Sequence, residues 1–280
     1  LVGSEMCIRD SYVNNEVSAD LRFARPEMIE TTDAVVGIPL IARDETIGVM
    51  WVGRSRDFHA EDVRLLTAIG EMTANAIQRT TLFEALQLSN LELAQAYDTT
   101  LEGWSRALEL RDRETEGHAG RVSELAVRLA RELGFRGRDL VHVRRGALLH
   151  DIGKMGIPDS ILFKPSHLTD EEWEVMHRHP TYARDLLGSI SFLEPAMDIP
   201  YCHHERWDGS GYPRGLKGDE IPLTARAFAV IDVWDALCTD RPYRAAWSKD
   251  KAMSYLREES GRLFDPTAVS AFFSVLQASH

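Results

Sequence analysis

Between Val35 and Val52 the apolar residues fall in two strand-length runs, Val-Val-Gly-Ile-Pro-Leu-Ile and Ile-Gly-Val-Met-Trp-Val, separated by the polar Arg43-Asp44-Glu45. Two β-rich runs around a short polar turn predict a β-hairpin with one buried face. After Phe58-His59-Ala60-Glu61-Asp62 the period changes: Val63, Leu66, Ile69, Met72, Ala76 and Ile77 recur at helical steps, which predicts an amphipathic helix. From Leu82 to about Arg111 there is no Gly or Pro before Gly103, and Leu82, Leu86, Leu93, Tyr97, Leu101, Trp104 and Leu108 stand three, four or seven apart. That spacing predicts one long helix with an apolar seam. Two readings of the seam stand: a parallel coiled coil that dimerises the chain, or a helix packed on its own domain. After about Tyr97 packing within the domain is favoured.

From about Asp98 onward the pattern is helical almost throughout. His118 to Leu133 is amphipathic and stops at Gly134, and Leu140 to Lys154 follows. Met155 to Ser166 reads as a loop. Thr169 reads as the N-cap of a further helix, with Asp170, Glu171 and Glu172 in its first turn. Thr224 to Leu237 and Lys249 to Glu259 are the next helical runs, and Phe264-Asp265-Pro266 leads into a last one ending at Gln277. The expected fold class is mainly α: a helical domain preceded by a short α/β segment and a long connecting helix.

Composition narrows the partners. The 280 residues, 44% hydrophobic and 27% charged, suffice for one large or two medium domains. A net charge of −12 argues against DNA or RNA as partner, but not against a small anionic ligand held by local cations or metal ions. Cys7, Cys202 and Cys238 have neither metal-site nor disulfide spacing, which fits reduced thiols in a cytoplasmic protein. No run reaches the roughly 18 apolar residues that span a bilayer. The chain opens on Leu1 rather than Met, so the natural N-terminus is expected to be missing, together with any anchor or signal it carried. Leu1 to Ser11 has no periodicity and reads as an artefact.

The candidate chemistry lies in histidines and carboxylates spread over the second half. The densest stretch is His203-His204-Glu205-Arg206-Trp207-Asp208-Gly209-Ser210-Gly211-Tyr212-Pro213, with His150-Asp151 upstream and Asp232 downstream. Alone, one His-Asp pair is what chance gives in a chain with ten histidines. Glu114 and His118, four apart, would share a helix face, a geometry that chelates metal or makes a surface contact. Adjacent imidazoles such as His203 and His204 are unusual in a core because each needs a polar partner. Asp232 interrupts an apolar helix, where a carboxylate is costly to bury unless it is paired or metal-bound, and Asp235 lies one turn on. His59, His142, His167, His177 and His280 match no such pattern and read as surface or structural residues.

In order, Glu114-x-x-x-His118, His150-Asp151-Ile-Gly-Lys154, His179-Pro180, His203-His204-Glu205, Gly211-Tyr212-Pro213, Asp232-Val-Trp-Asp235-Ala-Leu and Asp240-Arg241-Pro242-Tyr243-Arg244 resemble the HD-GYP domain, a bacterial cyclic di-GMP phosphodiesterase of the HD superfamily. The likeness covers roughly residues 98 to 277. Two departures, Ser166 where Gly is common and Cys238 where Thr or Ser is usual, remove no ligand. The hairpin and the helix after it resemble the C-terminal half of a GAF sensor domain. The organisation implied is a partial GAF-like region over 1–80, a linker helix over 81–97 and an all-helical HD-type metallohydrolase domain over 98–280.

The resemblance implies that His118, His150, Asp151 and Asp232 hold one divalent ion and His179, His203 and His204 a second, with Asp151 bridging. Glu114 is the ligand that permits a third ion in some family members. Imidazole and carboxylate without thiolate suit iron or manganese over zinc. Asp151 and Lys154 are the implied catalytic residues, with Lys154 placed to reach a phosphate oxygen; without the motif, a solvated loop lysine is the simpler reading. Tyr212, Arg241, Arg244, Asp112 and Asp235 are the implied substrate contacts or their supports, and a packed loop tyrosine is the plain alternative for Tyr212. The implied reaction linearises cyclic di-GMP to pGpG and carries it on to GMP. A silent cyclic di-GMP receptor, or an HD phosphohydrolase for another cyclic dinucleotide, is the alternative.

Overall fold

Three antiparallel strands, β1 (Tyr12–Asn14), β2 (Ala34–Ala42) and β3 (Glu45–Arg54), make a sheet in the order β1-β2-β3. The structure is a computed structural model that describes residues 9–16, 32–112, 117–240 and 244–278. The hairpin is the predicted one: Ala34 pairs with Arg54 and Ala42 with Glu45, which leaves Arg43-Asp44 as a two-residue turn. Both turn residues are left-handed, with φ of 49° and 65°, the twist that closes a tight hairpin. β1 was not anticipated, because three residues are too few for alternation to register. Ala34, Val36 and Ile38 form the buried face with Phe58, and Val63 and Leu66 of the following helix pack against them.

That helix, α1, runs from Ala60 to Asp112. The two helical stretches expected from the sequence are therefore one element. The linking Gln78-Arg79-Thr80-Thr81 contains no Gly or Pro, and the Thr80 and Thr81 hydroxyls donate back to the Ala76 and Ile77 carbonyls at 3.1 Å each, so nothing breaks the ladder. The chain comprises two compact units, Leu1–Ala94 and Gln95–His280.

In the second unit the helices are α2 (His118–Glu132), α3 (Arg138–Leu148), α4 (Asp159–Leu162), α5 (Asp170–Met176), α6 (His179–Leu187), α7 (Asp198–Cys202), α8 (Leu223–Cys238), α9 (Lys249–Glu258) and α10 (Pro266–Gln277). The main core joins Val122 and Leu129 of α2, Ala147 of α3, Phe228, Ile231 and Trp234 of α8, Leu256 of α9 and Phe272 of α10. A second cluster places Leu101 of α1 against Leu149, Ile152, Leu187 and Leu193. Tyr97 stacks on Phe192 at 4.8 Å, Asp98 pairs with Arg145 at 2.8 Å and Glu102 with Arg144 at 2.6 Å. The last turns of α1 thus pack within this unit, as expected after Tyr97. The Thr169 cap is present as a full capping box with Glu172.

Two predicted boundaries shift. The helix expected over Leu140–Lys154 is α3, which ends at Leu148, and the chain then tightens into a 3-10 turn over Ile152–Gly156. Gly153 explains the tightening: a Cβ there would lie 1.8 Å from the His179 carbonyl oxygen and 2.6 Å from the Ala183 nitrogen. Only glycine lets the first turn of α6 lie directly on this segment. The expected loop Met155–Ser166 contains the short α4. Helices α6 and α7 escaped prediction because nine and five residues carry too little periodicity.

Candidate metal centre

Five local devices deliver the predicted ligands to one place. His118 opens α2, and His150 and Asp151 lie between the end of α3 and the 3-10 turn. His179 opens α6, His203 and His204 follow α7, and Asp232 stands inside α8. Ligand atoms of Asp151, His179, His203 and His204 all lie within 4.8 Å of one another, and those of His118, His150 and Asp232 form a second such group. The groups adjoin: the His150 ring is 5.4 Å from that of His118 and 5.3 Å from that of His203.

The imidazoles are aimed. Nδ1 of His150 lies 2.8 Å from the Ala147 carbonyl oxygen, that of His179 2.9 Å from Met176, and that of His203 3.0 Å from Ile199. A carbonyl only accepts, so each Nδ1 carries the hydrogen and each Nε2 presents a lone pair. Those three Nε2 atoms are buried without a hydrogen-bond partner. They stand 3.2, 3.3 and 3.7 Å from the Asp151 carboxylate. Buried lone pairs converging on a carboxylate are costly unless a cation lies among them. The donor set therefore fits divalent ions. Burial pushes the neighbouring Cys202 thiol up to about 11, so the set is nitrogen and oxygen, not thiolate.

Protonation states agree with that fit. Burial holds the His204 imidazole well below its ordinary value, reinforced by His203 and His179, and burial likewise lowers His203. Both are neutral at neutral pH. Burial opposes ionisation of Asp151, but the charges of Lys154 and His150 outweigh it and keep the carboxyl well below its usual range. Asp232 is likewise held low against its burial by a hydrogen bond from His118 and the charge of His150. His150 differs: despite burial, Asp151 and Asp232 raise it.

Around the ligands the structure supplies supports. Asp235 is buried and accepts from His118 Nδ1 at 2.8 Å and from Arg121 Nε and Nη2 at 2.9 Å each. Its carboxylate thus fixes the ring of His118, whose Nε2 lies 3.5 Å from Asp232. Arg121 does not figure among the residues the motifs single out, although its place three residues after His118 on one helix is a usable signal. Asp235→Asn is expected to lower metal affinity about 10–100-fold, the usual effect of losing such an outer partner, with the fold retained. A manganese titration of the variant checks this.

The remaining predicted residues fall as follows. Lys154 Nζ is 2.6 Å from Asp151 and 3.3 Å from Asp112, so Asp112 meets the lysine. Tyr212 stacks on His204 at 4.7 Å and on His177 at 4.0 Å. Arg244 donates to the Ala236 carbonyl and lies over Trp247 at 5.6 Å, at the end of α8. Glu114 and Arg241 lie outside the described residues, as do Cys7 and His280. Glu205 is buried and accepts from the backbone N–H groups of Arg214 and Leu216 at 2.8 and 3.0 Å, which ties down the Gly-Tyr-Pro loop. A Cβ on Gly211 would fall within 2.6 Å of Arg206, Glu205 and His204 backbone atoms, so the loop closes only on glycine. His177, expected to be a surface or structural residue, lines the cavity beside His204. It is a near neighbour of Tyr212 across a fold that sequence spacing does not show.

An HD domain family model matches residues 103–268 of this chain. The chain belongs to the HD domain family. All seven residues of the two candidate ligand groups fall inside the matched span, and a GAF domain model matches residues 3–78. Over 221 residues the chain is 41% identical to the cyclic di-GMP phosphodiesterase response regulator RpfG of Xanthomonas campestris pv. campestris, covering 78% of this chain and 58% of that protein. It is 43% identical over 169 residues to a cyclic di-GMP phosphodiesterase of Thermotoga maritima, covering 60% and 46%. It is 35% identical over 223 residues to the 3'3'-cGAMP-specific phosphodiesterase 2 of Vibrio cholerae, covering 79% and 41%. This HD-domain chain therefore spans about half the length of these relatives. Among its described residues no helix is long and apolar enough to cross a membrane.

Proposed function

We propose that this chain is a metal-dependent phosphodiesterase that hydrolyses cyclic di-GMP to pGpG, and pGpG on to GMP, in cytoplasmic second-messenger signalling. The observation that carries the reading is the pair of adjoining buried ligand groups with Asp151 between them. In this reading His118, His150, Asp151 and Asp232 would hold one ion and Asp151, His179, His203 and His204 the second. Iron or manganese is favoured, and Glu114 would serve as a ligand where a third ion binds. When bound, such ions lower the pKa of water toward neutrality and neutralise charge on phosphoryl oxygens.

The chain's own side chains do the rest. Lys154, steered by Asp112 and Asp151, meets a non-bridging phosphate oxygen. Tyr212, Arg241 and Arg244 contact the substrate, and Asp235 acts through His118. Residues 98–280 form the catalytic domain, 81–97 the linker helix and 1–80 a partial GAF-like sensor region. Leu82, Leu86 and Leu93 are 48%, 58% and 50% exposed, which supports a homodimer through the linker helix. Sedimentation at rising concentration should give twice the mass of the chain; a monomer throughout would sink the dimer.

The test of activity is chromatography of the products formed from cyclic di-GMP by protein loaded anaerobically with iron or manganese. Linear pGpG or GMP is expected. Tight binding with no product would favour a silent receptor. The likeness to a 3'3'-cGAMP-specific phosphodiesterase favours cyclic GMP-AMP as the second substrate to run beside it.

A further inference from the structure

Beside the metal centre lies an open cavity of about 720 Å³, within the range of small-molecule sites. One wall is α5 and its C-cap, which contribute Asp170, Trp173, Glu174 and His177. The spacing i, i+3, i+4, i+7 places these four on one helix face. In a globular domain such a stripe is normally aliphatic and faces the core. Here it is aromatic and acidic, and Trp173 is 46% exposed. The segment after α7 and the Gly-Tyr-Pro loop contribute His204, Arg206 and Tyr212.

The rings form a continuous series toward the metal ligands. Trp173 lies 5.4 Å from His177, His177 stacks on Tyr212 at 4.0 Å and 25°, and Tyr212 stacks on His204 at 4.7 Å and 29°. A flat heterocycle extends such a series, because every base has a π-face. The acids give a sense of direction. A carboxylate only accepts hydrogen bonds. Guanine offers two adjacent donors, N1–H and N2–H, on one edge, whereas adenine sets an acceptor, N1, beside its amino group. Arg206 stands in the same cavity as a cation for phosphate.

We infer that the α5 face and the Tyr212 loop form a guanine-reading subsite: Trp173 stacks on a base of the cyclic dinucleotide and Glu174 accepts from its N1–H and N2–H edge. The inference deepens the proposed phosphodiesterase reading and rests on it. It makes Trp173, Glu174 and His177 determinants of base preference.

The experiment compares KM and kcat of the metal-loaded chain for cyclic di-GMP and cyclic di-AMP in wild type, Trp173→Ala, Trp173→Phe and Glu174→Gln, with metal content confirmed for each. Trp173→Ala should raise KM for cyclic di-GMP about tenfold, the scale of one lost base–aromatic stack, and Trp173→Phe should restore it. Glu174→Gln should shrink the preference for cyclic di-GMP over cyclic di-AMP by about tenfold or more. Should Trp173→Ala fail to fold, the exposed Glu174 and the phenylalanine variant carry the test. Wild-type KM in Trp173→Ala, or wild-type base preference in Glu174→Gln, overturns the subsite while the phosphodiesterase reading stands. A wild-type chain that holds metal yet releases product from no cyclic dinucleotide sinks the parent reading, and the subsite with it.

Discussion

Asp151→Ala is expected to lower turnover of cyclic di-GMP by on the order of 10³-fold or more, the scale of losing one preorganised electrostatic partner at a reacting centre. The reason is geometric. Asp151 Oδ2 lies 3.2 Å from His150 Nε2 and 2.6 Å from Lys154, and Oδ1 lies 3.3 Å from His179 and 3.7 Å from His203. One carboxylate thus touches both ligand groups and the lysine. Alanine removes the only negative charge in the group with His179, His203 and His204, and takes from Lys154 its contact at 2.6 Å. Product formation and metal content measured on matched samples check this. Wild-type turnover in Asp151→Ala protein would remove Asp151 from the chemistry.

Gly153→Ala is expected to destabilise the protein by about 3 kcal/mol, the upper end of the usual cost of overpacking. The added methyl would meet backbone, not a flexible side-chain tip: the His179 carbonyl oxygen at 1.8 Å and the Ala183 nitrogen at 2.6 Å. Relief requires α6 to move off the 3-10 turn. Because the turn follows Asp151 and α6 begins at His179, that movement pulls one ligand group apart. A midpoint lower by roughly 10 °C follows from about 2–4 °C per kcal/mol for a unit of this size, together with lost metal affinity. A thermal melt at equal metal loading decides. An unchanged midpoint and affinity would mean that the close approach is not rigid.

Much of the fold and of the site is legible in the order of the residues, and for identifiable reasons. Long periodic helices such as α2, α8 and α10 announce themselves because their buried faces repeat at 3.6 residues, and the capping residue Thr169 marks the start of the short α5. The ligands are legible because charged and imidazole groups in apolar surroundings need a reason to be there, as Asp232 does in α8. What escapes is what depends on tertiary approach. The α3 boundary is set by contact of Gly153 with α6, which no local pattern encodes. Arg121 reaches Asp235 across 114 residues of sequence, and His177 meets Tyr212 only because α5 and the Gly-Tyr-Pro loop face one cavity.

The most direct test of the central claim is the metal content of the chain purified anaerobically with iron or manganese, measured for wild type, His118→Ala and His179→Ala. Two adjoining ligand groups predict about two first-row metal ions per chain in wild type and about one in each variant, since each substitution removes a ligand from one group only. A wild-type chain that is folded and retains no metal would contradict the account, because the buried imidazoles around Asp151 would then need another explanation.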